Sequence, residues 1–153
     1  MKKYKLATGI GHGAYPITSF DHALCSAGVG NYNLVRLSSI LHLRSSRSDI
    51  IGLPLGSLLP IAYAVQTGVK GVISAAIAIG FPKKTDQNHC CVIMEFEGEC
   101  SEGEALKVVS DMVREGFKKR GWELEYIEAK SVQAECLVGE YTTVFACVAE
   151  WEE

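Results

Sequence analysis

The chain has little with which to cross a membrane, hold a metal or grip nucleic acid. No apolar run among its 153 residues approaches the roughly 20 that a membrane-spanning helix needs. Its six cysteines, at positions 25, 90, 91, 100, 136 and 147, form no C-x-x-C pair, and the His-Cys-Cys at 89–91 has no second cluster of ligands to complete a site. Zinc is therefore the weaker reading and buried small hydrophobes the stronger. Acid is scarce at the front. Residues 1–94 hold only Asp21, Asp49 and Asp86 against nine Lys and Arg, whereas residues 95–153 hold fifteen acids against six bases. With no long block of like charge, a nucleic-acid partner is excluded, and attraction between the two halves, or between subunits, accounts for the asymmetry. The opening Met1-Lys2-Lys3 resembles the basic start of an export signal, but Thr8, Gly9, Gly11 and His12 interrupt the apolar stretch that should follow. The protein is expected in the cytoplasm with its thiols reduced.

What is present is a single-domain pattern of apolar runs and two helices, with no repeat or linker. "TSFDHALCSAG" predicts a short helix over 18–28, capped by Thr18 or Ser19, with Asp21 in its first turn and Gly28 ending it. "NLVRL" reads as a strand ending near Leu37, residues 42–49 as a mobile polar loop, and Ile61–Val65 as an apolar run after Pro60. Gly71–Phe81 and Cys90–Gly98 look like strands covered on both faces. The plainest helix runs from Ser101 to Arg120. Ser101 and Glu104 form a capping box, Ala105, Val109, Met112, Val113 and Phe117 share one face, three cations occupy the last turn and Gly121 follows. "WELEYIE" alternates as a strand, and a last strand spans about 142–151. Helices covering a sheet core give an α/β layered fold.

The chemistry centres on Ser38 and Ser39, which close the strand "NLVRL". A Ser-Ser pair is ordinarily a turn, and Ser45-Ser46, in a basic polar loop, is read that way. At a strained backbone, however, the Ser39 hydroxyl can attack the Ser38 carbonyl and exchange an amide for an ester. Elimination then breaks the chain and leaves dehydroalanine, which hydrolyses to a pyruvoyl ketone. Such a group does the work of PLP: it forms a Schiff base with an amine and takes up electrons released at the α-carbon. Asn31 and Asn33 are amides able to steady the oxyanion, or simply Asx turns after Gly30.

The blocks "SFDHALCSAGVGNYNLVRLSSI", "LGSLLPIAYA", "SAAIAI", "IMEFEG" and "GFKKRGWELEYIEA" resemble the pyruvoyl-dependent arginine decarboxylase family, in the family's order and across nearly the whole chain. The resemblance implies an αββα sandwich that cleaves itself between Ser38 and Ser39. The products would be a β chain of residues 1–38 and an α chain of 39–153 headed by pyruvoyl made from Ser39. It further implies Asn33 in self-processing, Glu95 as the proton donor and Asp21 on the substrate guanidinium. The cofactor would be the self-generated pyruvoyl group, with neither PLP nor metal. Protomers would form trimers, or hexamers of paired trimers, with sites between subunits. The reaction would turn L-arginine into agmatine and CO2. Past "SSI" the family continues with Met and Pro, where this chain has Leu41, His42 and Leu43.

The residues can be weighed apart from the resemblance. Strand alternation puts Glu95 on the face of Cys91 and Ile93, where apolar neighbours would hold it protonated; alternatively it begins the wet acidic end "EFEGE". Asp21 suits a helix start, and Glu97 and Glu99 compete with it as guanidinium partner. The four histidines have no ligand spacing, and the glycines of "GIGHG" and "GVGN" are explained by backbone freedom rather than by phosphate binding. Two rivals stand beside arginine decarboxylation: a pyruvoyl decarboxylase for another amino acid, and a non-cleaving relative acting as a ligand-binding or scaffold subunit.

Overall fold

A computed structural model describes residues 1–153 and shows four layers. The first sheet holds five strands in the order β2-β5-β9-β1-β4, with β1 Lys2–Gly13, β2 Asn33–Arg36, β4 Ser46–Arg47, β5 Leu58–Gly68 and β9 Tyr141–Glu152. The second holds four in the order β3-β7-β6-β8, with β3 Ile40–Leu41, β6 Val72–Pro82, β7 Cys91–Gly98 and β8 Leu124–Glu135. The inner faces meet over Leu6, Ile73, Ile77, Ile93, Val144 and Val148, all essentially without exposure. Helix α1, Pro16–Ser26, covers the outer face of the first sheet, and α2, Glu102–Arg120, the outer face of the second. The αββα arrangement expected from the sequence is what is found.

The strand β1 is the surprise. The sequence suggests only a short extended start, yet β1 pairs antiparallel with β9 through twelve residues, from Lys2 opposite Glu152 to Gly13 opposite Tyr141. Gly9, Gly11 and Gly13 weaken its strand signal, and their purpose is contact rather than backbone freedom. A Cβ at Gly11 would run into the Ser19 carbonyl and the Ala23 amide of α1, and one at Gly9 into the Ala23 carbonyl. The bare backbone lets the helix lie directly on the strand.

Helix α1 begins two residues before its expected start. Pro16 takes the first helical position, Tyr15 is the N-cap, and the Thr18 hydroxyl donates to the Tyr15 carbonyl at 3.1 Å while accepting from its amide at 3.3 Å. Ser19 is not a cap; it is buried, its hydroxyl 2.7 Å from that of Thr143. Asp21 consequently lies mid-helix, and no acid stands in the first turn. Helix α2 follows the sequence closely: Ser101 caps it by accepting from the Glu104 amide at 3.2 Å, and Gly121 ends it in the left-handed region at φ 70°.

The polar segment 42–49 is partly ordered as a strand, since β4 pairs with β1 and the Ser48 amide donates to the Tyr4 carbonyl at 2.9 Å. Four ion pairs, Lys2–Glu152, Arg36–Glu95, Arg47–Glu128 and Lys83–Glu123, join the basic first part of the chain to the acidic remainder. No helix is long and apolar enough to cross a membrane.

Candidate active site

Ser38 and Ser39 sit where the chain leaves one sheet for the other. On the first sheet the Leu37 amide donates to the Ile61 carbonyl at 2.8 Å; on the second the Ile93 amide donates to the Ser39 carbonyl at 2.7 Å. The Ser38–Ser39 peptide bond is the unpaired span between these anchors. The Ser39 hydroxyl folds back and donates to the Ser38 carbonyl oxygen, so nucleophile and acceptor are neighbours within one dipeptide. No residue other than glycine has a positive φ, so the pair carries no left-handed strain.

Glu95 lies on β7 two residues beyond Ile93, on the inward face it shares with Ile93 and Cys91, as alternation requires. It and Ser39 line one open cleft of about 530 Å³, with Met112, Glu115, Gly116 and Lys119 of α2 on its other side. Burial pushes the Glu95 carboxyl above its ordinary range. The Arg36 guanidinium, 3.0 Å from Glu95 Oε1, pulls it part of the way back, and Glu97 pushes it up again. Neither the fully wet nor the purely apolar description fits. Glu95 is a half-buried acid held by one cation.

That cation is the residue the sequence reading missed. Arg36 donates both to Glu95 and to the Tyr63 carbonyl at 2.9 Å, and its guanidinium lies 4.2 Å from the centre of the Tyr63 ring. One signal was available: Arg36 is the only charged residue in "NLVRLSSI", and an arginine there adjoins the candidate nucleophile.

Asn33 and Asp21 are placed elsewhere. Asn33, exposed at the start of β2, donates its side-chain amide to the Gly56 carbonyl at 2.8 Å. Its strand runs extended towards Ser38 at roughly 3.3 Å per residue, so within one chain this amide does not reach the scissile carbonyl. The Asn33 bond is a loop clasp. Asp21 is exposed on α1, on the outer side of the first sheet, and has no hydrogen bond or ion pair in the chain. The helix-start explanation for it falls away with its mid-helix position.

The class defined here is a two-sheet α/β sandwich whose Ser38-Ser39 crossover lies beside a half-buried acid. The sequence pattern of the family described as "Pyruvoyl-dependent arginine decarboxylase (PvlArgDC)" matches residues 3–152. A pyruvoyl-dependent arginine decarboxylase of Methanocaldococcus jannaschii is 43% identical over 148 residues, covering 95% of this chain and 87% of the relative. Proteins of the same description from Methanococcus vannielii (37% over 148 residues, 95% and 88%) and Pyrococcus abyssi (38% over 141 residues, 90% and 86%) are also similar. The chain belongs to the pyruvoyl-dependent arginine decarboxylase family. Dependence on pyruvoyl implies a covalently held ketone, and a Ser39 hydroxyl lying against its own preceding carbonyl fits its production from the chain.

Proposed function

We propose that the chain cuts itself between Ser38 and Ser39 into fragments 1–38 and 39–153, and that the product decarboxylates L-arginine to agmatine and CO2. The observation that carries this reading is the crossover itself: Ser39 is tied to β7 through its carbonyl, its hydroxyl lies on the Ser38 carbonyl, and Glu95 shares its cavity. The pyruvoyl group supplies an electron sink for the electrons freed when CO2 leaves.

The chain's own residues do the rest. Glu95, raised by burial, keeps a proton beyond the ordinary carboxylate range and delivers it to the substrate α-carbon. Arg36 orients that carboxyl through the 3.0 Å contact and is itself held by Tyr63. Asp21 reads the substrate guanidinium, to which an unpaired carboxylate is suited. Because Asp21 and Asn33 lie apart from Ser39 in one chain, both act from a neighbouring subunit in a trimer or a pair of trimers. The edge of β7 beyond Ile93, which β3 and Ser39 leave unpaired, is consistent with a subunit contact.

Intact-mass measurement of the purified protein tests the reading, together with CO2 release from carboxyl-labelled arginine and from a panel of other amino acids. Two fragments, a ketone reactive toward hydrazine and preference for arginine are expected. Ser39→Ala should remain one inactive chain. An uncut wild-type chain in correctly assembled protein would instead support a ligand-binding or scaffold role.

A further inference from the structure

Glu150 is outside everything assigned above. Along β9, Val144, Ala146 and Val148 point into the core between the sheets, and the same alternation turns Glu150 inward. Its Oε2 is buried with no hydrogen-bond partner, the one side-chain atom of the protein in that condition. A buried polar group left unpaired is costly and calls for a reason. Glu150 lines a cavity of about 300 Å³ that Leu37 and Ile40 also line, the two residues that bracket Ser38–Ser39. Register places it close: Ile61 of β5 pairs with Arg36 on one side and with Ala149 on the other. Only one strand lies between β9 and β2, whose backbones are roughly 10 Å apart across two strand spacings, and Ser39 lies beyond β2 where the chain crosses to the second sheet, the side towards which Glu150 points.

The groups facing it leave it available. Lys2 of β1 is engaged by Glu152 at 3.5 Å, Lys3 and Glu152 line the same cavity, and Tyr4, opposite Glu150 in the register, gives its hydroxyl to Glu128 of β8 at 2.6 Å. From β7 the nearby ionisable group is the buried thiol of Cys91. Burial lifts the Glu150 carboxyl to about 7, with Lys2 drawing it down in part. Glu95, the other carboxyl near the crossover, is tied to Arg36.

Resting on the self-cleavage proposed above, we infer that Glu150 is the base for the elimination step, reaching the Cα proton of Ser39 through water in this cavity. Attack of Ser39 Oγ on the Ser38 carbonyl carbon forms a C–O bond and breaks the C–N bond, giving an ester and a free Ser39 amine. The Glu150 carboxylate then takes the Cα proton through that water. The C–H electron pair becomes the Cα=Cβ bond, the Cβ–O bond breaks, and the Ser38 carboxylate leaves. Water hydrolyses the resulting dehydroalanine to the ketone with loss of ammonia. A base whose pKa lies near the working pH suits this transfer.

The test follows cleavage of newly synthesised full-length chain by gel and intact mass from about pH 5 to 9. Wild type should cleave with a rate that rises as pH passes about 7. Glu150→Gln should slow release of the fragments about 10²-fold and accumulate an uncut ester, which hydroxylamine splits into a 1–38 hydroxamate and a chain beginning with intact serine. Glu150→Asp should recover part of the rate. Cleavage of Glu150→Gln at the wild-type rate, a block without hydroxylamine-sensitive ester, or a wild-type profile flat through neutrality would each overturn the assignment and leave self-cleavage standing. A wild-type chain that never cuts would overturn self-cleavage itself.

Discussion

Replacing Glu95 by Gln separates the chemistry of the site from its architecture. Gln keeps the size of the side chain and an oxygen to accept from Arg36, now 3.0 Å away. What is lost is the ion pair and the proton. The Arg36 side chain is 50% exposed and that of Glu95 25%, so water screens the pair and its loss costs no more than about 1 kcal/mol. Burial already disfavours the charged carboxylate, so part of that cost is returned. Melting temperature should therefore shift by only a few degrees, about 2–4 °C per kcal/mol for a domain of this size. Losing a positioned proton donor costs far more, about 10²–10⁴ in kcat, or roughly 3–5 kcal/mol of barrier. Self-cleavage uses the Ser39 hydroxyl and should proceed. A gel, a thermal melt and a CO2-release assay on one preparation read all three. Decarboxylation within a few-fold of wild type, in a variant that cleaves and melts normally, would refute the proton-donor role.

Arg36→Met removes the cation that lowers the Glu95 carboxyl, so the alkaline decline of kcat should move to higher pH; a decline that stays where it was would show that Glu95 is not the group being titrated. Gly11→Ala forces a methyl group into the backbone of α1, and urea unfolding should register a loss of about 1–3 kcal/mol; an unchanged midpoint would mean that the helix does not rest on β1. Glu150 is held at about 7, above an ordinary 4.5. It therefore contributes stability below pH 4.5 that is lost as pH rises through 7, at most about 3 kcal/mol. On a Ser39→Ala background, Glu150→Gln should flatten that dependence between these limits, and a slope identical to its parent would contradict the burial.

The parts of the molecule legible in the sequence are those where local and global demands agree. Helix α2 advertises itself because its cap, apolar stripe and terminal cations are all within its own residues. The faces of β7 follow from alternation alone, so the inward direction of Glu95 could be read before any fold was known. By contrast, β1 was hidden because its glycines serve α1, a partner reached only in three dimensions, and glycine reads locally as a turn. Pro16 marked the true start of α1, but Thr18 and Ser19 offered a more familiar cap. Glu150 sits in "VAEWEE" and looks like a solvated end; that its oxygen is enclosed depends on β1 and β5 flanking β9. Arg36 acquires its role only when β2 and β7, in different sheets, come together at the crossover. Side chains that act on one another across layers leave no spacing to find.

Residues 1–38 supply β1, seated between β9 and β4, together with α1 and β2. Scission at the crossover would leave a protein whose interior strand belongs to a peptide no longer joined to the rest, retained by the β9 ladder and by Tyr4, Leu6, Leu24 and Val29 in the cores. Such a molecule is built once. Its shape is reached while the chain is continuous; afterwards, recovery from denaturation requires two separate polypeptides to meet again, with a dependence on dilution that the newborn chain never faces. Maturation would thus exchange reversibility for a reactive end.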